Sequence, residues 1–389
     1  MSKIGKILPE NIYTSLRKTK AALMRSTSLL MNVFPVNDRK IIFSNFNGRG
    51  FGDNPKYLAK EFDRRGDFDL FWIAYEDETV PDTITKVKPR SLSCLYHMAT
   101  SKVWIDNVRK DPYYVKRKNQ YYIQTWHGNV ALKKIEKDVE DKIGSYYVES
   151  AKRDAEMTDL MVSNSAFADR LYSDSFWYRG DIRRFGSPRL DCLFELENDE
   201  EAVKSIKRSL GIPENNYTVL YAPTFRNSLS MDAYDVDLEK VREALKKNTG
   251  RDVSVLLRLH PNLIVANLSI SSEGAIDATR YPDVYELMAV SDALITDYSS
   301  LMFEFPAAKR KPVFCYAKDQ DEYDRGFYFE LAELPFVFTR TNEELINSIT
   351  CFDKEKYEAD INAFYEKIDL HEDGHASERV VNYLIEEIL

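Results

Sequence analysis

Short runs of β-branched and aromatic residues alternate along this chain with longer stretches of helical periodicity, and that alternation restricts the fold more than any other feature. In the first half the expected strands are Lys40–Phe46, Asp69–Tyr75, Lys102–Asn107, Tyr121–Trp126 and Leu160–Ser163. In the second half they are Tyr217–Ala222, Val253–His260, Ala293–Thr296, Pro312–Tyr316 and Phe336–Thr339. Between them Asn54–Arg65, Glu200–Leu210 and Leu238–Asn248 combine helical spacing with good helix formers. Strands that alternate with helices build parallel sheets through crossover connections. At 389 residues the chain is too long for one ordinary core and divides into two α/β domains facing a central cleft. The acidic stretch Glu195–Glu201 has no period of its own and is the expected linker, which gives spans of 1–39, 40–195 and 196–389. The polar segment Arg226–Asp237 follows a strand end and reads as a loop over the cleft.

Hydrophobic residues at 44% and charged residues at 30% are ordinary for a globular chain and exclude wholesale disorder. A formal net charge of −9 argues against nucleic-acid binding, which calls for a basic face. Cys94, Cys192, Cys315 and Cys351 are scattered, without a CxxC pair or zinc spacing, and read as reduced thiols. No apolar run approaches the ~20 residues needed to cross a bilayer, and the N-terminus lacks the apolar core of a signal peptide. Residues 1–39 nonetheless stand apart. Lys3, Lys6, Arg17, Lys18, Lys20, Arg25, Arg39 and the adjoining Lys40 face only Glu10 and Asp38, while Leu8, Ile12 and Leu16 recur at helical spacing, followed by Leu23, Leu29, Leu30, Val33 and Phe34. Such a basic amphipathic helix suits an anionic membrane surface, or equally a place on the protein's own body with its charges solvated.

Chemistry is signalled first by two of the 5 histidines. His127 follows the strand run Tyr121–Trp126, and His260 ends the run Val253–Leu259. In open α/β sheets ligands collect outside the carboxyl ends of strands, and an imidazole there can gain or lose a proton near neutral pH. The segment Asp292–Glu304 reads as a buried strand, a polar turn and a helix start. Ser299 and Ser300 would add hydroxyls to the free N–H groups of a first helical turn, a nest suited to phosphate, or would simply act with Asp297 as caps. Glu304 lies on the same helical face as Ser300, placed to accept ribose hydroxyls. Pro223, Thr224 and Arg226 close another strand, Arg258 and His260 would project to one side of theirs, and Gly186–Arg189 offers a turn with a fork-shaped donor for phosphate oxygens. No Walker A loop, GxGxxG opening a helix, HxxxH or DxD occurs, so the sequence demands neither metal nor cofactor.

In order along the chain stand Gln124-Thr125-Trp126-His127-Gly128 with Leu132-Lys133-Lys134, Gly186-x-Pro188-Arg189, Tyr221-Ala222-Pro223-Thr224, Arg258-x-His260 and Thr296-Asp297-Tyr298-Ser299-Ser300. Arg325-Gly326-Phe327-Tyr328 and Glu372-Asp373-Gly374-x-Ala376-Ser377 follow, and Asp53-Asn54-Pro55-Lys56 precedes them. From about Lys40 to the C-terminus this set resembles the CDP-glycerol glycerophosphotransferase family, the primases and polymerases of teichoic acids and related capsules. The resemblance implies a GT-B-like fold of two Rossmann-type parallel-sheet domains, the second holding the CDP-alcohol. It implies transfer of a polyol phosphate, glycerol phosphate first, from CDP-glycerol or CDP-ribitol to a hydroxyl of a lipid-linked acceptor. It implies, too, that CMP is released and that the enzyme works as a peripheral protein of the cytoplasmic membrane face.

By position, His127 matches the family's base on the acceptor hydroxyl. Arg189, Arg258, His260, Ser299 and Ser300 match the groups that hold the donor pyrophosphate, His260 being counted with His127 as catalytic. Pro223 and Thr224 match a donor contact, and Glu304 stands where the family has a carboxylate. Gly128 and Asn129 join the donor side, with Asp53, Asn54, Lys133, Asp297 and Arg226 in acceptor-side or supporting places. The family's His-Gly-Thr-Pro-Leu-Lys is here His127-Gly128-Asn129-Val130-Ala131-Leu132-Lys133, one residue longer, so the loop bordering the reacting centre is altered; Asn129 would donate where the family has Thr. The competing readings are a sugar-nucleotide glycosyltransferase on the same fold, which would release a nucleoside diphosphate, and a catalytically silent polymer-binding scaffold.

Overall fold

The first of two parallel sheets contains β1 (Asn37–Ser44), β2 (Asp69–Ile73), β3 (Thr85–Val87), β4 (Ser101–Asp106), β5 (Tyr121–Gln124), β6 (Leu160–Ser163) and β7 (Asp181–Arg184), in the order β3-β2-β1-β4-β5-β6-β7. The second contains β8 (Tyr217–Tyr221), β9 (Val253–Leu257), β10 (Ile276–Asp277), β11 (Ala293–Thr296), β12 (Val313–Tyr316) and β13 (Phe338–Thr339), in the order β10-β9-β8-β11-β12-β13. This computed structural model describes residues 10–225, 232–259, 274–320 and 326–389. Central strands such as β4, β5, β6 and β11 are buried along almost their whole length, because crossover helices cover both faces of each sheet.

The helices are α1 (Glu10–Met31), α2 (Asp53–Arg65), α3 (Leu92–Thr100), α4 (Ser145–Met157), α5 (Ala166–Ser175), α6 (Asp191–Glu197) and α7 (Glu200–Ser209). They continue with α8 (Leu238–Thr249), α9 (Val284–Val290), α10 (Leu301–Glu304), α11 (Asn342–Thr350), α12 (Lys354–Ile368) and α13 (Ala376–Glu387). Side-chain caps fix many of their starts: Ser91, Ser165, Asp199, Asp237, Thr341 and Asp353 each accept an N–H from the first turn of the helix that follows.

Several expectations shift. The strand before His127 ends at Gln124, since Trp126 turns the backbone with φ 50. The strand Val253–His260 stops at Leu257, so Arg258 stands beyond it, while His260 lies outside the described residues. The linker Glu195–Glu201 is mostly helical, being the end of α6, the Asp199 cap and the start of α7. Of the loop expected over the cleft, residues 226–231 lie outside the described residues; its remainder turns at Asp232–Tyr234, and Tyr234 is buried with its hydroxyl on the Thr224 carbonyl (3.1 Å).

Both outer boundaries also move. β1 starts at Asn37, inside the span expected for the terminal segment. Lys40 is buried rather than part of a basic surface. Its Nζ donates to Thr100 Oγ1 (2.6 Å) and lies over the rings of Phe71 and Tyr96, and burial brings its pKa down to about 8 against the pull of Asp69. At the other end α13 leaves the second sheet, although 196–389 was expected to hold together. Val380, Val381 and Leu384, each 0% exposed, complete the core of the first sheet with Ile41, Leu58, Phe62 and Trp72. Asp191 of α6 holds the start of that helix, accepting the N–H groups of Ala376 (3.0 Å) and Ser377 (2.7 Å).

Candidate active site between the two sheets

His127 is set by its neighbours rather than by the strand. Its Nδ1 lies 2.8 Å from the carbonyl oxygen of Asn107 at the end of β4. A carbonyl can only accept, so Nδ1 carries the proton and the neutral ring keeps its lone pair on Nε2. Trp126, packed against the ring at 4.3 Å, is itself held between Phe176 and the guanidinium of Arg109. Arg109 is buried and pairs with Glu136 (2.8 Å) and Asp154 (3.2 Å), which keep it charged despite burial. Burial pushes the His127 pKa below its ordinary value, and the opposing effects of the Asn107 bond and of Asp53 do not cancel it. The site therefore holds an imidazole that is neutral and basic at Nε2 near neutral pH.

The second sheet meets this loop directly. A Cβ on Gly128 would stand 3.3 Å from Ser300 Oγ, so the absence of a side chain there allows the close approach. Ser299 and Ser300 are both partly exposed in the turn after β11. The helix that follows, α10, has only four residues, Leu301–Glu304, so the turn's hydroxyls and N–H groups have little macrodipole behind them. Asp297 binds the Thr224 N–H through both carboxylate oxygens (3.0 Å each), locking the end of β8 to the end of β11; Pro223 is buried beside it. Arg258 donates to the carbonyls of Ala278 (3.2 Å) and Tyr281 (2.7 Å) through one nitrogen, Nη1. Among the described residues no carboxylate lies within ion-pair distance of it, and burial lowers its pKa. Lys133 pairs antiparallel with Phe327, and its Nζ lies 5.7 Å from the centre of the Tyr298 ring. Arg226, like Arg325 and His260, lies outside the described residues.

Two residues expected to touch the donor, Arg189 and Glu304, instead tie the two sheets together, and a third, Asn129, is bonded within the first. Arg189 is 2% exposed, pairs with Asp53 at 2.8 Å, and donates to Glu304 through its other terminal nitrogen. Glu304 is 5% exposed and also accepts from the Tyr285 hydroxyl (2.9 Å), so each of its oxygens already holds a protein donor. Burial, with Asp53 as a second carboxylate, raises the Glu304 pKa in spite of Arg189. Asn129, 2% exposed, donates to Ser187 Oγ (2.9 Å) and accepts from the Tyr172 hydroxyl, so it supports the loop from within. Asn54 has a supporting place too, donating to the Trp126 carbonyl (3.0 Å) and accepting the Arg189 N–H (3.1 Å). A second buried pair, Lys56–Asp283 at 2.5 Å, ties α2 to α9, with the Tyr57 hydroxyl also on Asp283 (2.7 Å).

Asn107, Arg109, Glu136, Asp154 and Tyr285 were not picked out from the sequence. Their partners lie 20 to 45 residues away in the cases of His127, Glu136 and Asp154, and no local spacing marks them. Glu372 lay within a motif but without a role. It accepts from Asn164 Nδ2 (2.8 Å) and the Ser187 N–H (3.0 Å), with no cation paired to it among the described residues, and burial raises its pKa to about 8.

Two Rossmann-type sheets, an imidazole on one and a hydroxyl-lined turn on the other, define a transferase of GT-B-like fold. The chain belongs to the CDP-Glycerol:Poly(glycerophosphate) glycerophosphotransferase family, whose pattern matches residues 26–386. It is 31% identical over 394 residues to a teichoic acid glycerol-phosphate transferase of Staphylococcus aureus, covering 97% of each chain. It is 30% identical to a teichoic acid poly(glycerol phosphate) polymerase of Staphylococcus epidermidis, of which it spans 55%. The solved wall teichoic acid polymerase TagF superposes with a TM-score of 0.82 at 29% identity, over 98% of both chains.

Proposed function

We propose that this enzyme transfers glycerol phosphate from CDP-glycerol to a hydroxyl of a lipid-linked acceptor. The acceptor oxygen attacks the phosphorus that bears glycerol, the bond from that phosphorus to the CMP oxygen breaks, and CMP leaves. His127 Nε2 takes the proton of the attacking hydroxyl. The carrying observation is the pairing of His127, its tautomer set by Asn107, with a loop packed on the Ser299–Ser300 turn. Ser299, Ser300, Arg258 and the undescribed His260 are the proposed partners of the pyrophosphate, whose growing charge needs fixed donors and cations. A variant of TagF was solved after a soak with CDPG, which supports this choice of donor.

The acceptor's lipid would be met at an anionic membrane surface. Leu16, Leu23 and Leu30 recur two turns apart on α1 and are 55%, 70% and 68% exposed, while Met24 and Met31 pack inward beside α3. No described helix is long and apolar enough to cross a membrane. The test is CMP release from CDP-glycerol and CDP-ribitol in parallel, with UDP-sugars as controls and a lipid-linked saccharide in anionic liposomes. Acceptor-dependent CMP from CDP-glycerol, lost in His127→Ala, is the expected result. UDP release, or CMP release that survives His127→Ala, overturns the reading.

A further inference from the structure

The strand order of the first sheet reverses between β1 and β4, which opens a crevice at their carboxyl ends. Asn45-Phe46-Asn47 follows the end of β1 there and Asn107 follows the end of β4, beside His127 in the loop after the neighbouring β5. Phe46 is 38% exposed, and its ring stands edge-on to the His127 ring at 5.4 Å. Phe46 and Asn47 both adopt left-handed backbone, with φ of 42 and 59, a conformation that L residues with side chains avoid. Buried polar groups enforce it. Asn107, 0% exposed, accepts the Phe46 N–H on Oδ1 (2.9 Å) and donates from Nδ2 to Asn45 Oδ1 (2.8 Å). Asn45 in turn donates to the Arg49 carbonyl (2.8 Å) and accepts the N–H groups of Gly48 (2.8 Å) and Arg49 (2.9 Å). Gly48, at φ 97, lies so near Pro89 that a Cβ would come within 2.7 Å of it.

Local strain that surrounding bonds hold in place is a mark of functional positions, and here it keeps an apolar ring facing solvent beside the proposed base. We propose that Phe46 is the acceptor-binding residue of the first sheet. Its ring packs against the C–H face of the acceptor's terminal polyol or sugar unit and brings the attacking hydroxyl to His127 Nε2. Asn107 is the positioning residue for both, holding the ring through its side chain and the imidazole through its carbonyl. The assignment rests on His127 acting as the base, and it adds where the acceptor lies and what class of group it presents.

Phe46→Gly removes the ring while suiting the left-handed backbone, so the fold is retained. Phe46→Trp keeps an aromatic face. CMP release is measured with the lipid-linked saccharide varied at saturating CDP-glycerol, then with CDP-glycerol varied. Phe46→Gly is expected to raise the acceptor KM about tenfold, a loss on the scale of one aromatic contact. The donor KM and the melting temperature stay at wild-type values, and Phe46→Trp restores most of the acceptor affinity. An unchanged acceptor KM in Phe46→Gly, or equal rises in both KM values, overturns the assignment while leaving the reaction intact. Absence of acceptor-dependent CMP from the wild-type enzyme overturns the reaction itself, and this assignment with it.

Discussion

Replacing Arg189 by alanine separates two roles that a buried arginine near a nucleotide site can have. In this protein the guanidinium lies between Asp53 and Glu304, at 2% exposure, and its own N–H binds Asn54. Its removal leaves two carboxylates in a buried site with no counter-charge, which costs about 3–5 kcal/mol. Unfolding entropy of about 2.1 cal/mol/K per residue gives about 0.8 kcal/mol/K for a chain of 389 residues unfolding cooperatively. Arg189→Ala should thus lower the melting temperature by about 4–6 °C. A triple variant Arg189→Met, Asp53→Asn, Glu304→Gln should regain most of that loss, since no unpaired charge remains. Calorimetric melting paired with titration of CDP-glycerol below the transition checks the argument. An unchanged melting temperature with donor binding weakened tenfold or more would refute it and return Arg189 to the pyrophosphate.

Three further outcomes follow from the geometry. Because burial lowers the His127 pKa and a base must be unprotonated, the acid limb of kcat/KM should fall below the ordinary imidazole value of 6.5; a limb above it refutes the assignment. Glu372 has a folded pKa of about 8 against 4.5 for the free carboxyl, so the folded state binds the extra proton between those values. Its contribution is full below 4.5 and lost as pH rises to 8. Glu372→Gln should flatten that decline in denaturant melts at pH 5 and 8.5 by about 1–2 kcal/mol, less than the whole shift because the carboxyl keeps partial solvent contact; an unaltered slope refutes it. Leu384→Ala, far from the second sheet's core, should cost about 2–5 kcal/mol and increase protease cleavage within α2; cleavage confined to α12 would refute the crossing of α13.

How legible each part was depends on where its partners lie. Strands such as Leu160–Ser163 and Ala293–Thr296 were readable to the residue, because burial on both faces writes a continuous apolar run. The edges β3, β7 and β10 were not. Asp181–Arg184 is an edge strand of alternating exposure, and its charges look like a turn until the neighbouring strand is known. The place of His127 after β5 was legible because a strand run and a glycine flank it locally, but its hold on the Asn107 carbonyl was not. Arg189 was legible as a fork-shaped donor but not as a tie, since Asp53 and Glu304 stand 136 and 115 residues away. The bonds of Asn129 to Ser187 and Tyr172 were hidden for the same reason.

The crossing of α13 also bears on how the chain is made. The first sheet is synthesised before the second, yet the helix carrying Val380, Val381 and Leu384 follows the whole second sheet in the chain. Until then the faces of Leu58, Phe62 and Trp72 that it covers stay open, through translation of the entire second sheet at roughly 5–20 residues per second. Synthesis should therefore pass through a nascent stage with an incomplete first core. That stage is a natural client for a holding chaperone, and a premature stop before Ala376 would convert it from a transient into the end product.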